Sequence, residues 1–357
     1  MRGMGIRRGR RGRRVTAVAV VGVLAIAVFL AGVPSGYAQG QARTGSLRSA
    51  QSGPSISARD AKRVVTDYNA ANTKNNASLD LAGQGAMETG PVRTIDDAAF
   101  REARGRGELS LGNGFTIDKV RVWVPVQGSY PLRFLALEQA TDNGVKFRQL
   151  LTFTKANEGE AWKLSMAAQL VGANAPKLLA DRDQRVQILD ADHASSLKVQ
   201  PKALDGAVAN VWARAAGLER APQPNFAGGQ LTTSITDYFV NELSQTGINA
   251  RVDFGFRASG QPVEGYRTAD GGALCLFVVA VSATLKPVAS DPFTQPPSRV
   301  PFGGLVAPGQ YAQLGYERLA IVAAVVPKQT SKAKVRVIAI YDGPVSATAL
   351  QPGTSTA

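Results

Sequence analysis

The chain has 357 residues, with 41 Lys and Arg against 27 Asp and Glu, one His and one Cys. One Cys excludes an intrachain disulfide and a Cys-rich zinc site, and one His leaves a Ser-His-Asp triad possible only through His193. With 44% hydrophobic and 19% charged residues, the chain is long and apolar enough to bury a sizeable core and is not a disordered polymer.

Residues 1–14 carry seven Arg and no acid. Val15 to Val33 follow without a single charge. A basic region ahead of an apolar run is a leader, and the positive-inside rule keeps its Arg cluster in the cytoplasm. Everything after Val33 is therefore expected outside. Two fates stay open for residues 15–33. The run is nearly long enough for a transmembrane anchor, which needs about 20 residues. Yet Pro34 ends it, and Gly36-Tyr37-Ala38 offers a cleavage site before Gln39, as in a secreted protein. No Cys lies directly behind the run, which excludes a lipid-anchored lipoprotein. Arg13-Arg14 lacks the flanking residues of a twin-arginine signal.

The leader also explains the basic balance. Of the formal charge of +14, the leader Arg account for seven, leaving +7 for the rest. No Lys/Arg run follows, so nucleic acid is not an expected partner.

Residues 34–56 are rich in Gly, Ser, Gln and Ala and predict a flexible linker. A helix starts at Ser57-Ala58-Arg59-Asp60, a capping box with Asp in place of Glu. Ala61, Val64, Val65, Tyr68 and Ala71 continue it at helical spacing. A shorter helical piece is expected between Asn72 and Pro91, and Thr94-Ile95-Asp96-Asp97 opens another helix through about Arg104. The pattern then turns to period two: Val120, Val122, Val124 and Val126, then Leu132, Phe134 and Ala136, then Lys146–Lys155 and Ala161–Leu170. Residues 57–170 thus predict one α+β unit, followed by a connector over 171–199.

The order then recurs. Pro201 suits a helix start, and Leu204, Val208, Val211, Trp212 and Ala215 form an apolar face ending at Gly217. Ile235, Phe239 and Leu243 mark a further helix. Val252, Phe254 and Phe256 alternate, Gly272–Ala283 is almost wholly apolar, and Arg318–Val326 with Lys334–Tyr341 close the pattern. Residues 200–345 predict a second α+β unit, with a disordered tail over 346–357. The fold expected is α+β: two tandem helix-then-antiparallel-sheet units, cone-like, each with its own sheet, after an N-terminal hydrophobic helix.

Val64-Val65-Thr66-Asp67-Tyr68-Asn69, Glu88-Thr89-Gly90-Pro91, Tyr130-Pro131 and Trp162-Lys163-Leu164 resemble the pattern of an actinobacterial family of Cys-poor exported proteins with a domain of unknown function. The resemblance spans about residues 57–345 and implies export, with no activity to carry over. Each unit is also similar in architecture to the cone of nuclear transport factor 2-like and ketosteroid isomerase-like proteins, which does not fix a function.

Candidate chemistry is sparse. His193 sits among Asp190 and Asp192 in the connector, where a solvated role outweighs catalysis. Cys275, inside Ala273-Leu274-Cys275-Leu276-Phe277, reads as a core residue. Asp67 and Tyr68 resemble the acid and tyrosine of a ketosteroid isomerase, but neighbours on a helix do not face one another. Gly112-Asn113-Gly114, Gly228-Gly229 and Gly265–Gly272 lack a phosphate-cradling pattern. No catalytic residue, cofactor or metal ligand is therefore expected. Trp123, Tyr130, Phe134 and Trp162 are the candidate pocket lining, with filling of the core the favoured reading of the same residues. Pro287–Gln310, with six Pro, predicts a loop outside the second sheet, dispensable for folding and available to a partner. The function expected is a non-catalytic binding or accessory module at the envelope, taking an envelope protein or a small apolar ligand. A structural scaffold, or an enzyme with a ketosteroid isomerase-like fold, is the alternative.

Overall fold

The structure is a computed structural model describing residues 56–352 apart from 113, 173, 219, 221–222, 245–248, 289–291 and 294–301. The N-terminal hydrophobic helix, the linker up to residue 55 and part of the Pro-rich loop lie outside the described residues. Among the described residues, no helix is long and apolar enough to cross a membrane.

Helix α1 (Ala58–Ser78) begins where the sequence predicts: Ser57 caps it by accepting from the Asp60 amide, a contact worth about 1 kcal/mol. Ala61, Val65 and Tyr68 are its buried stripe. Two short helices follow, α2 (Leu81–Met87) and α3 (Gly90–Gly105). Helix α3 starts earlier than Thr94, because Pro91 occupies its first turn, where a missing N–H costs nothing.

Strands β1 (Thr116–Pro125), β2 (Leu132–Asp142), β3 (Val145–Lys155) and β4 (Lys163–Leu170) form an antiparallel meander. Asn143 and Gly144, both with positive φ, make the tight turn between β2 and β3, as a two-residue hairpin requires. After the two-residue β5 (Arg185–Val186) and the single turn α4 (Ala191–Ser195) come helices α5 (Leu204–Ala215) and α6 (Ile235–Ser244). Strands β6 (Ala250–Ala258), β7 (Glu264–Arg267), β8 (Ala273–Pro287), β9 (Gln313–Val326) and β10 (Arg336–Leu350) complete the chain.

The element order repeats, but the expectation of two separate sheets is corrected. One sheet runs β5-β1-β2-β3-β4-β10-β9-β8-β6, with β7 beside β8. The halves join where Leu170 and Gln169 of β4 pair with Ala339 and Ile340 of β10. They also share a core: Tyr266, Leu276, Val278 and Ile321 of the second half pack with Phe134, Leu150 and Val65 of the first. Helices α5 and α6 cover the other face of the second half, over Phe277, Val322 and Ile340. The physical reason is that an unpaired last strand in each half would be an exposed edge. Joined, the two strands cover each other.

Two further expectations are corrected. Residues 346–350 are not tail but strand, paired with residues 313–317 of β9. The Pro-rich loop is not detached from the core. Its Phe302 is wholly buried and stacks on Tyr316 with ring centroids 4.5 Å apart. The turn Gly303–Leu305 then packs against α3 of the first half. Pro excludes the loop from central strands, but it does not keep neighbouring apolar side chains out of a core.

Candidate functional site

The four predicted lining residues do not converge. Register pairs Trp123 with Leu135 and Phe134 with Phe153, so Trp123 and Phe134 point to opposite faces of the sheet. Phe134 is wholly buried, stacked on Phe153 at 4.9 Å and met edge-on by Trp162 at 5.0 Å. Tyr68 of α1 closes the same cluster against Phe153. Trp123 is buried on the other face, with the Arg121 guanidinium 4.7 Å above its ring. Tyr130 is half-buried at the β1–β2 connection. Phe134 and Trp162 pack against each other in the core.

The other singled-out residues are placed as their chemistry suggests. Cys275 is wholly buried, and burial pushes its thiol up to about 12. Asp190 caps α4 by accepting from the His193 amide at 2.8 Å, and its carboxylate also meets the His193 ring. The backbone bond comes first among the causes holding Asp190 below the usual carboxylate range. Asp67 is exposed while Tyr68 is buried. The tyrosine's partner is Glu88, whose Oε1 accepts from the Tyr68 hydroxyl at 2.7 Å.

That bond belongs to a buried polar cluster that sequence reasoning missed. Glu88 follows α2, and its backbone bridges to Leu164 of β4. Asp96 lies in the second turn of α3. The Gln84 amide donates to both carboxyls, to Glu88 Oε1 and, at 3.4 Å, to Asp96 Oδ2. The Tyr341 hydroxyl of β10 donates to Asp96. Burial pushes both carboxyls up, Glu88 most strongly, and Asp96 beside it adds to the shift in Glu88.

A second cluster lies across β10. Arg318 of β9 is buried between Glu242 of α6 and Asp342 of β10, at 3.0 and 2.8 Å. The Tyr238 hydroxyl donates to Asp342 at 2.9 Å. The rings of Phe239 and Tyr316 flank the guanidinium, 5.3 and 5.8 Å from it. The signal for this second cluster was a charge within an apolar strand: Arg318 in β9 and Asp342 in β10. A charge at such a position is paired or not there at all.

A third feature is open. Ala215 and Leu218 at the end of α5, Val240 of α6, and Val252 and Phe254 of β6 line a groove of ≈310 Å³. Strand β6 is the last strand of the sheet on this side among the described residues. Leu218 and Val240 are exposed there.

Residues 52–349 match the model of a family described as a domain of unknown function, DUF8094. The chain belongs to this family. The match covers both halves and the shared sheet, so the DUF8094 domain is the whole described fold and not one half of it. Among curated proteins, the chain is similar to an "Uncharacterized lipoprotein" of Streptomyces avermitilis, 28% identical over 219 residues, covering 60% of this chain and 61% of that one. It is also similar to "Uncharacterized lipoprotein SCO6871" of Streptomyces coelicolor, 22% identical over 259 residues, covering 68% of this chain and 69% of that one. No solved structure matches.

Proposed function

We propose that the protein is an extracytoplasmic, membrane-tethered binding module of the cell envelope, and that it takes an extended apolar segment of an envelope protein along β6. Two relatives named as lipoproteins support the envelope location. In a lipoprotein the lipid hangs from a Cys behind the leader. Here the sole Cys is Cys275, wholly buried in β8. The tether in this chain is therefore the apolar run 15–33, with the stalk carrying the folded part clear of the membrane.

The groove carries the binding reading. A sheet edge offers backbone donors and acceptors, and the alternating Val252 and Phe254 beside it offer apolar sockets, which together suit an added strand. The recurring order of helices and meander supports reading the halves as diverged copies of one unit, fused edge to edge through β4 and β10.

A photo-crosslinking residue at Val240 in the full chain, expressed in its own envelope, tests the groove. The expected result is a discrete adduct from Val240 that is absent when the probe replaces the more exposed Leu109. Equal labelling from both positions, or none from Val240, overturns the reading. Native mass spectrometry showing a bound small apolar molecule instead of a protein adduct would move the assignment to a ligand.

A further inference from the structure

Glu88 Oε2 is buried and has no donor opposite it, and one Gln84 amide nitrogen reaches both Glu88 Oε1 and Asp96 Oδ2, which sets the two carboxyls side by side. Two buried carboxylates held on one donor are both acceptors and repel unless one of them carries a proton. We propose that Glu88 and Asp96 share a single proton, and that this proton holds the segment ahead of α3 onto α3, at the point where Asp96 meets Tyr341 of β10, the strand through which the two halves are joined.

The surrounding groups favour one proton rather than two or none. Glu88 already accepts from Tyr68 and Gln84, and Asp96 accepts from Tyr341 and Gln84. These four bonds suit one negative charge spread over the pair. A second charge in the same enclosed space would meet repulsion with little water to screen it. The flanking charges do not supply a counter-ion. Asp97 adds repulsion to Asp96, and Arg93 is committed to Asp97 and to the Leu81 carbonyl. Asp342, behind Tyr341, bears a further negative charge, and Arg318 beyond it is held by Asp342 and Glu242. From β4 the cluster meets the backbone of Leu164.

The clasp has a direction. Both carboxyls are raised, so the folded protein holds the shared proton more tightly than the unfolded chain does. Stability from this pair is fully present below the unfolded carboxyl range and is lost as pH rises through the raised value. An acidified surface keeps Glu88 closed onto α3, and an alkaline one sets two negative charges against each other there.

Glu88→Gln places an amide N–H where the shared proton sits. In the full chain, the infrared difference spectrum of wild type minus E88Q at neutral pH should contain the carbonyl band of a protonated carboxylic acid. Wild type should lose melting temperature on the alkaline side, and E88Q should show a flattened limb there. Asp96→Asn should behave alike, and it serves if E88Q does not fold. A difference spectrum without that band, or alkaline limbs that superpose in wild type and variant, overturns the proposal.

Discussion

Tyr341 and Asp342 are neighbours on β10 and project from opposite faces of it, each into a different buried polar cluster. Tyr341 donates to Asp96 on the side of α3, and Asp342 binds Tyr238 and Arg318 on the side of α6. One strand therefore carries the polar anchors of both halves back to back. This follows from the two-residue period of a strand placed between two helical layers.

Removing the cation from the second cluster tests how much that anchoring matters. Arg318→Ala leaves Glu242 and Asp342 facing each other without a counter-charge, and Asp342 is buried. Breaking a buried pair this way costs about 3–5 kcal/mol. Urea unfolding should show that loss, whereas a cost under about 1 kcal/mol would mean that water enters the cluster.

The elements were legible where one period dominated. Ser57 with the stripe of Ala61, Val65 and Tyr68 predicts α1, and Val252, Phe254 and Phe256 predict β6. The join was not legible, because pairing of β4 with β10 depends on two residues in each strand more than 160 positions apart. Trp123 misled for a related reason. Its alternation with Val122 and Val124 sets it on the opposite face from theirs, yet both faces of the strand are buried at this point. The polar clusters left a weaker trace. Glu88 stands in a motif whose meaning appears only when Asp96 and Tyr341 are brought to it.

The Pro-rich loop now carries the opposite expectation to the one its composition suggests. Phe302 is wholly buried against Tyr316. Phe302→Ala should destabilise the protein by about 3–5 kcal/mol. Thermal unfolding of that variant at the wild-type temperature would show the loop to be the accessory segment that its prolines alone imply.

Where this loop meets α3, two glycines touch backbone to backbone. A Cβ on Gly304 would fall 1.9 Å from the Glu102 carbonyl oxygen, and one on Gly105 2.0 Å from the Gly304 oxygen. Neither backbone can move without shifting a helix or the Phe302 anchor. Gly304→Ala should cost about 1–3 kcal/mol. Gly159→Ala, which meets just the Asn157 side chain at 3.7 Å, is the control and should stay within about 0.5 kcal/mol. Equal melting temperatures for the two variants would contradict the close contact.

The same contact titrates near neutrality. Glu102 is buried beside Gly304, and burial pushes its carboxyl from 4.5 up to about 7, with Arg106 offsetting part of the rise. The folded state thus binds this proton more tightly than the unfolded chain. Its contribution is fully present below about pH 4.5 and declines until about pH 7, by about 3 kcal/mol at most. Glu102→Gln should flatten the stability curve within that window. Curves for wild type and E102Q that run parallel from pH 4.5 to 7 would remove Glu102 from the account.

The tether is the last point open to measurement. The apolar run 15–33 follows seven Arg, and the sole Cys is enclosed in β8. Cells fed a labelled fatty acid should therefore leave this protein unlabelled, while the Streptomyces relatives serve as positive controls. A reporter enzyme active only outside the cytoplasm, fused after Ala357, should be active. Carbonate washing should leave the full chain in the membrane, and replacing residues 15–33 by a cleavable signal should release it. Fatty-acid label on the chain would assign the tether to lipid. Cytoplasmic activity of the reporter would place the whole fold on the wrong side of the membrane for an envelope module. Cys275 gives an independent check on the fold in the same samples. With its thiol buried and pushed up to about 12, it should react with a thiol reagent after unfolding and not before.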